Sequence, residues 1–130
     1  MSRLSIGLLV CVLAGPVAIS SQAAEAVDQL LEGYRQQGAG PFSAEAGQSF
    51  WNRDFDGNSC AACHTAEPTR VGEHQKTRKA IEPMAPSVNP ARLTEVKQIN
   101  KWFLRNCKGV LGRECSSQEK GDILTWLRAQ

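Results

Sequence analysis

An all-α fold of one small domain is predicted by three features of this sequence. Four segments carry apolar residues at helical spacing, the part of the chain that can form a domain is short, and one Cys-x-x-Cys-His motif lies between the second and third of those segments.

The first 23 residues stand apart from that domain. Arg3 supplies a positive start, Ile6 to Ile19 is almost wholly apolar or small, and no acid precedes Glu25. Ser21-Gln22-Ala23 then offers the small-x-small pattern of a signal-peptidase site. Residues 1–23 therefore read as a signal peptide and 24–130 as the one folded domain, exported to the bacterial periplasm. An uncleaved anchor is the alternative, but Gly15 and Pro16 break the run and it is short for a bilayer. Lipid attachment at Cys11 is disfavoured by bulky Val10 before it. Cleavage after Ala23 leaves 107 residues. A chain of that size buries a limited core and leans on a disulfide, metal or cofactor. The formal net charge is +2, or +1 without Arg3, a balance that points neither to nucleic acid nor to a membrane surface. No stable membrane insertion is expected, and no internal repeat or low-complexity tract is present.

The first helix is expected over Glu25 to Gln36, where Val27, Leu30, Leu31 and Tyr34 make one stripe before Gly38-Ala39-Gly40-Pro41 ends it. The second is expected over Ser43 to Arg53, with Ser43 as N-cap and Gly47, Phe50 and Trp51 on one side. Asp54, Asp56 and Asn58 look like the start of a calcium loop, but Ser59 and Thr65 stand where that loop needs glycine and glutamate. Residues 66–90, with Pro68, Pro83, Pro86 and Pro90, read as irregular. So long a structureless stretch is more credible wrapped around a cofactor. The third helix is expected over Thr94 to Asn106, with Val96, Ile99, Phe103 and Asn106 on one face and Trp102 beside it. The last is expected over Gln118 to Ala129, introduced by the capping-box pair Ser116 and Glu119 and burying Ile123, Leu124, Trp126 and Leu127. Gly47 would let the second and last helices cross closely, with Trp51 and Trp126 filling the contact.

The chemistry lies in Cys60-Ala61-Ala62-Cys63-His64. In an exported protein this spacing indicates one covalent haem c: two thiols add to two vinyl groups of one porphyrin, and His64 becomes the proximal iron ligand. A thioredoxin-like dithiol would need a βαβ pattern, and a zinc site a second ligand pair; neither is present. Cys107 and Cys115 remain, and in an oxidising compartment a spare pair is expected to be bridged.

Three residues could bind iron opposite His64. Met84, 20 residues downstream, is the ordinary choice of an electron carrier, or else a packing residue in a proline-rich loop. His74, 10 residues downstream in a polar stretch, reads as a solvated loop histidine. Asn106, 42 residues downstream, ends the Ile99–Phe103 stripe; its residue type alone favours a helix C-cap.

The run Trp102-Phe103-Leu104-Arg105-Asn106-Cys107, then Gly112-Arg113-Glu114-Cys115 and Glu119-Lys120-Gly121-Asp122, together with Cys60 to His64 and Pro83-Met84-Ala85-Pro86-Ser87, closely resembles the sphaeroides haem protein family. The resemblance covers roughly the whole mature chain and is strongest after residue 80. It implies a small class I cytochrome c fold, here with an extra N-terminal helix. It also implies asparagine as sixth ligand, which maps to Asn106, and a disulfide, which maps to Cys107 and Cys115. Release of the asparagine on reduction, a site then open to oxygen or nitric oxide, and a dihaem cytochrome c as electron donor are further implications. One departure is Met84, where the type protein of the family has leucine. The implied bridge would close a nine-residue loop, worth about 2.5 kcal/mol on the chain-entropy model, and would steady the backbone beside Asn106.

The expected function is a redox-gated haem protein that takes electrons from another cytochrome and binds oxygen or nitric oxide on ferrous haem. The alternatives are a Met84-ligated electron carrier, and a gas sensor or scavenger without turnover. Lys97, Lys101, Arg105 and Lys108 read as a solvated helix side.

Overall fold

The structure, a computed structural model, describes residues 21–130. Of the expected signal segment 1–23, residues 1–20 lie outside the described residues, and Ser21 to Ala23 fall in the first helix. The described chain holds five helices and one small hairpin: α1 (Ser21–Gln36), α2 (Ala44–Asn52), α3 (Cys60–His64), β1 (Gly72–Glu73), β2 (Ala80–Ile81), α4 (Val96–Leu111) and α5 (Ser117–Leu127).

The first helix begins four residues earlier than its stripe suggested. Ala23 and Ala26 extend the buried side of Val27, Leu30, Leu31 and Tyr34 back by one turn. Alanine favours a helix at no side-chain entropy cost, so the extension needs no further signal. That side packs on α5 and α4. Asp28 reaches Arg128 at 2.7 Å, tying α1 to the end of the chain. The Tyr34 hydroxyl is buried without a partner among the described residues, and burial pushes its pKa up to about 12.

The α2–α5 crossing is the main contact of the fold. Ser43 caps α2 by accepting the Ala46 N–H at 3.1 Å, and its own N–H donates to Asp122 Oδ1 at 2.8 Å. Gln118 donates to the same oxygen at 3.0 Å, so the buried Asp122 is satisfied from both helices. Gly47 lies against the Asp122 backbone so closely that a Cβ there would collide with the Asp122 carbonyl. Trp51 and Trp126 meet edge to face beside it, ring centres 5.4 Å apart. The sequence pattern of Gly47, Trp51 and Trp126 thus describes this interface as found.

Two expectations are corrected. Residues 66–90 are not wholly irregular: Gly72 pairs with Ile81 and Glu73 with Ala80 in an antiparallel hairpin. The stretch carries no alternating pattern to announce strands this short. And α4 does not end at Asn106. It runs five residues further to Leu111 and stops where Gly112 takes a left-handed conformation (φ 72°). Cys107 is buried and keeps the inward face going, and Gly112 supplies the αL cap that residue type alone favoured for Asn106.

The capping box at α5 is complete. Ser116 Oγ accepts the Glu119 N–H at 3.1 Å, and Glu119 accepts the Ser116 N–H at 2.8 Å. Arg113 donates to both Glu119 oxygens, at 2.8 and 2.7 Å. Chiefly through that guanidinium, the carboxyl is held below the usual range. A carboxyl lowered in the folded state adds stability above its unfolded value and loses it as pH falls through the folded value. Urea midpoints of Glu119→Gln should therefore decline less steeply than wild type between about pH 5 and 3. Parallel acid limbs would show that Glu119 does not supply this dependence.

Candidate haem site

The Cys-x-x-Cys-His motif folds as the single turn α3, an element its sequence alone did not announce as helical. Ser59 starts the turn by accepting the Ala62 N–H at 3.0 Å. Helical spacing of three then puts Cys60 and Cys63 on one side, with His64 one turn beyond Cys60. Both cysteines are unbridged and half-buried, and burial pushes the Cys60 thiol up to about 11.

His64 is held from two directions. Its ring lies 5.4 Å from that of Trp51, whose indole N–H donates to the Thr65 carbonyl at 2.8 Å. The hairpin closes the other side, since Gly72 abuts the Cys63 carbonyl and a Cβ there would collide with it. His64 Nδ1 is buried with no hydrogen-bond partner among the described residues. Burial first, then the nearby Arg92 guanidinium, lowers the imidazole to about 4. The ring is therefore neutral at pH 7, the form that binds a metal. A cavity of about 480 Å³ opens beside Cys63, lined also by Val71, Gly72, Arg78 and Ala80. Two reduced thiols on one helix face and a neutral, half-buried imidazole one turn away, its Nδ1 without a partner among the described residues, are the donor set covalent haem requires. The residues fit the group.

The three candidate sixth ligands are placed very differently. His74 is exposed at the hairpin turn, where its Nδ1 accepts the Lys76 and Thr77 N–H groups at 3.3 and 3.2 Å. Met84 is half-buried against the core, with its backbone N–H bonded to the Pro68 carbonyl at 2.8 Å. Asn106 lies inside α4, on the side shared by Ile99 and Phe103. Its side chain is exposed and makes no hydrogen bond among the described residues. The cap reading of Asn106 fails, because the helix continues past it. The next residue, Cys107, is disulfide-bonded to Cys115, with Cα atoms 5.5 Å apart. The helices that carry His64 and Asn106 do not pack extensively on one another.

Sequence reasoning missed Gly72 and Arg92. Arg92 donates to the Pro83 carbonyl at 2.9 Å and to the Glu82 carbonyl at 2.8 Å. Bonds to main-chain carbonyls leave no residue-type signature, and a glycine is informative only once its neighbour is known.

A family model described as a domain of unknown function (DUF1924) matches residues 37–127. The cytochrome c-type protein SHP of Cereibacter sphaeroides is 41% identical over 128 residues, 95% of this chain and 96% of that protein. The structure of oxidised SHP, described as an oxygen-binding cytochrome c, matches with a TM-score of 0.75 at 40% identity, covering 80% of this chain and 96% of that one. The solution structure of cytochrome c'' of Methylophilus methylotrophus matches with a TM-score of 0.72 at 31% identity, covering 82% and 95%. The all-α core, the Cys-x-x-Cys-His turn and this likeness over nearly the whole chain together show that the protein is a c-type cytochrome belonging to the sphaeroides haem protein (SHP) family.

Proposed function

We propose that this chain is a periplasmic monohaem cytochrome with a redox-labile sixth ligand, which binds a diatomic gas in its ferrous state and is reduced by another cytochrome, of the dihaem c class. Haem held here supplies a one-electron couple and a gas-coordinating iron. Cys60 and Cys63 would anchor it covalently, His64, neutral and braced by Trp51, would be its permanent protein ligand, and Asn106 would be the labile one.

The observation that carries the reading is the position of Asn106. An unbonded polar side chain sits within α4, outside any cap, on the side of Ile99 and Phe103 and next to a disulfide-fixed residue. An amide oxygen is a hard, weak donor that suits ferric iron better than ferrous. Asn106 is thus expected to hold the ferric state and to let go on reduction, while the softer imidazole of His64 stays. The disulfide steadies the backbone of α4 beside Asn106, limiting the motion to the side chain. SHP is described as binding oxygen, and haem-ligand detachment is described for cytochrome c'', which supports the same behaviour here. Among the described residues no helix is long and apolar enough to cross a membrane.

The test is the visible spectrum of the dithionite-reduced protein before and after carbon monoxide. A ferrous spectrum that converts rapidly to a carbonyl form is expected. A low-spin ferrous spectrum unmoved by carbon monoxide would show a firm ligand, Met84 first, and an ordinary electron carrier. Oxygen consumption with an electron donor then separates turnover from gas binding alone.

A further inference from the structure

Met84 is the one methionine among the described residues. Its thioether is also the one soft side-chain sulfur left once Cys60 and Cys63 are committed to haem and Cys107 and Cys115 to each other. Soft sulfur prefers the ferrous state that a hard amide leaves. A chain in which Asn106 lets go on reduction therefore carries an internal competitor for the vacated position. The methionine side chain, with three rotatable bonds, cannot restrain itself. Any restraint has to come from the backbone that carries it.

That backbone is pinned at several successive points. The Met84 and Ala85 N–H groups both donate to the Pro68 carbonyl, at 2.8 and 2.9 Å. The Pro83 carbonyl accepts from Asn89 Nδ2 at 3.1 Å and from Arg92 Nε at 2.9 Å. The Glu82 carbonyl accepts from Arg92 Nη2 at 2.8 Å. Pro83 and Pro86 bracket the methionine and restrict the backbone on either side. Ala85 is fully buried, and the Met84 side chain packs into the core. Both anchors belong to the surroundings of His64. Pro68 follows it by four residues, and Arg92 is close enough to act on its imidazole. The segment is thus tied to the stretch that follows His64 and to Asn89 and Arg92.

We infer that Asn89 and Arg92 are positioning residues that latch the Glu82–Ala85 segment and so deny the Met84 sulfur the place that Asn106 vacates. The inference rests on Asn106 being the redox-labile ligand. It accounts for a methionine in the proline-rich loop of a gas-binding cytochrome: the thioether serves as packing because its main chain is held.

The experiment uses holoprotein in four forms: wild type, Asn89→Ala/Arg92→Ala, Met84→Leu, and the triple variant. Carbon monoxide association is followed on the ferrous form, and the near-infrared sulfur-to-iron charge-transfer band on the ferric form. In the latch variant, capture by Met84 should leave about a tenth of the ferrous sites open and slow association about tenfold, with a low-spin ferrous spectrum. Adding Met84→Leu should restore the wild-type rate, while Met84→Leu alone should change nothing. A latch variant that binds carbon monoxide at the wild-type rate overturns the latch, as does a slowing that Met84→Leu does not reverse. If wild type is inert to carbon monoxide and Met84→Leu opens it, then the Asn106 reading fails and the latch fails with it. The first two failures leave that reading standing. Should the double variant not fold, Asn89→Ala alone is measured with and without Met84→Leu, where a slowing of about threefold reversed by Met84→Leu is expected, and an unchanged rate overturns the latch.

Discussion

Asn106→Ala should change the ferric spectrum and leave the dithionite-reduced spectrum close to wild type. On the proposed function the side chain matters in one oxidation state only, because an amide oxygen is a hard donor that suits ferric iron better than ferrous. Removing it also removes an internal competitor for added ligands. Ferric azide or imidazole affinity should rise about tenfold or more, the reciprocal of the open fraction in wild type. Ferrous carbon monoxide affinity should move little. Stability is a clean control here, since the side chain is exposed, makes no hydrogen bond among the described residues and sits in a helix interior, where alanine is the best residue. A ferric spectrum identical to wild type would remove Asn106 from the iron and return the choice to Met84.

Gly47→Ala should be strongly damaging for a single added methyl, costing about 3 kcal/mol or more. Elsewhere glycine to alanine within a helix gains stability, but here the added Cβ meets the Asp122 carbonyl, and backbone cannot give way as a flexible side chain can. The shift would also part Trp51 from Trp126 and disturb the Trp51 bond to Thr65 that braces the turn carrying His64. For a domain of about 100 residues such a loss lowers Tm by more than about 10 °C. Gly33→Ala in α1 is the matched comparison, because nothing lies within 4 Å of its added Cβ. That variant should gain about 0.5–1 kcal/mol. Thermal melts of the two holoproteins check both signs, and a Gly47→Ala midpoint within a few degrees of wild type would show that α2 and α5 can separate at small cost.

The two effects meet at His64. On the proposed function Asn106 would act on the iron from α4, whereas Gly47 acts through the crossing that positions the Trp51 indole and hence α3. One is the proposed ligand, with little role in stability. The other is a packing position with no ligand role, whose loss should disturb the site through its support. Comparing spectra at a temperature where both variants are fully folded separates these roles.

Periodicity and local chemistry were enough to read four helices, the Ser43 and Ser116 caps, the Glu119 capping box, the close crossing at Gly47 and the Cys-x-x-Cys-His motif, because each is a pattern among residues a few positions apart. What the sequence could not determine were the features set by distant backbone. It did not show how far α1 reaches back, since Ala23 and Ala26 become core residues only when α4 and α5 cover them. It could not say that α4 continues to Leu111, and so it left Asn106 readable as a cap. That choice fell to tertiary structure, where burial of Cys107 and its bond to Cys115 keep the helix going. The hairpin at Gly72–Ile81 and the ties from Pro68, Asn89 and Arg92 to the Met84 segment were equally hidden. They are hydrogen bonds to main-chain carbonyls, which every residue carries, so only the fold decides which carbonyl each donor finds.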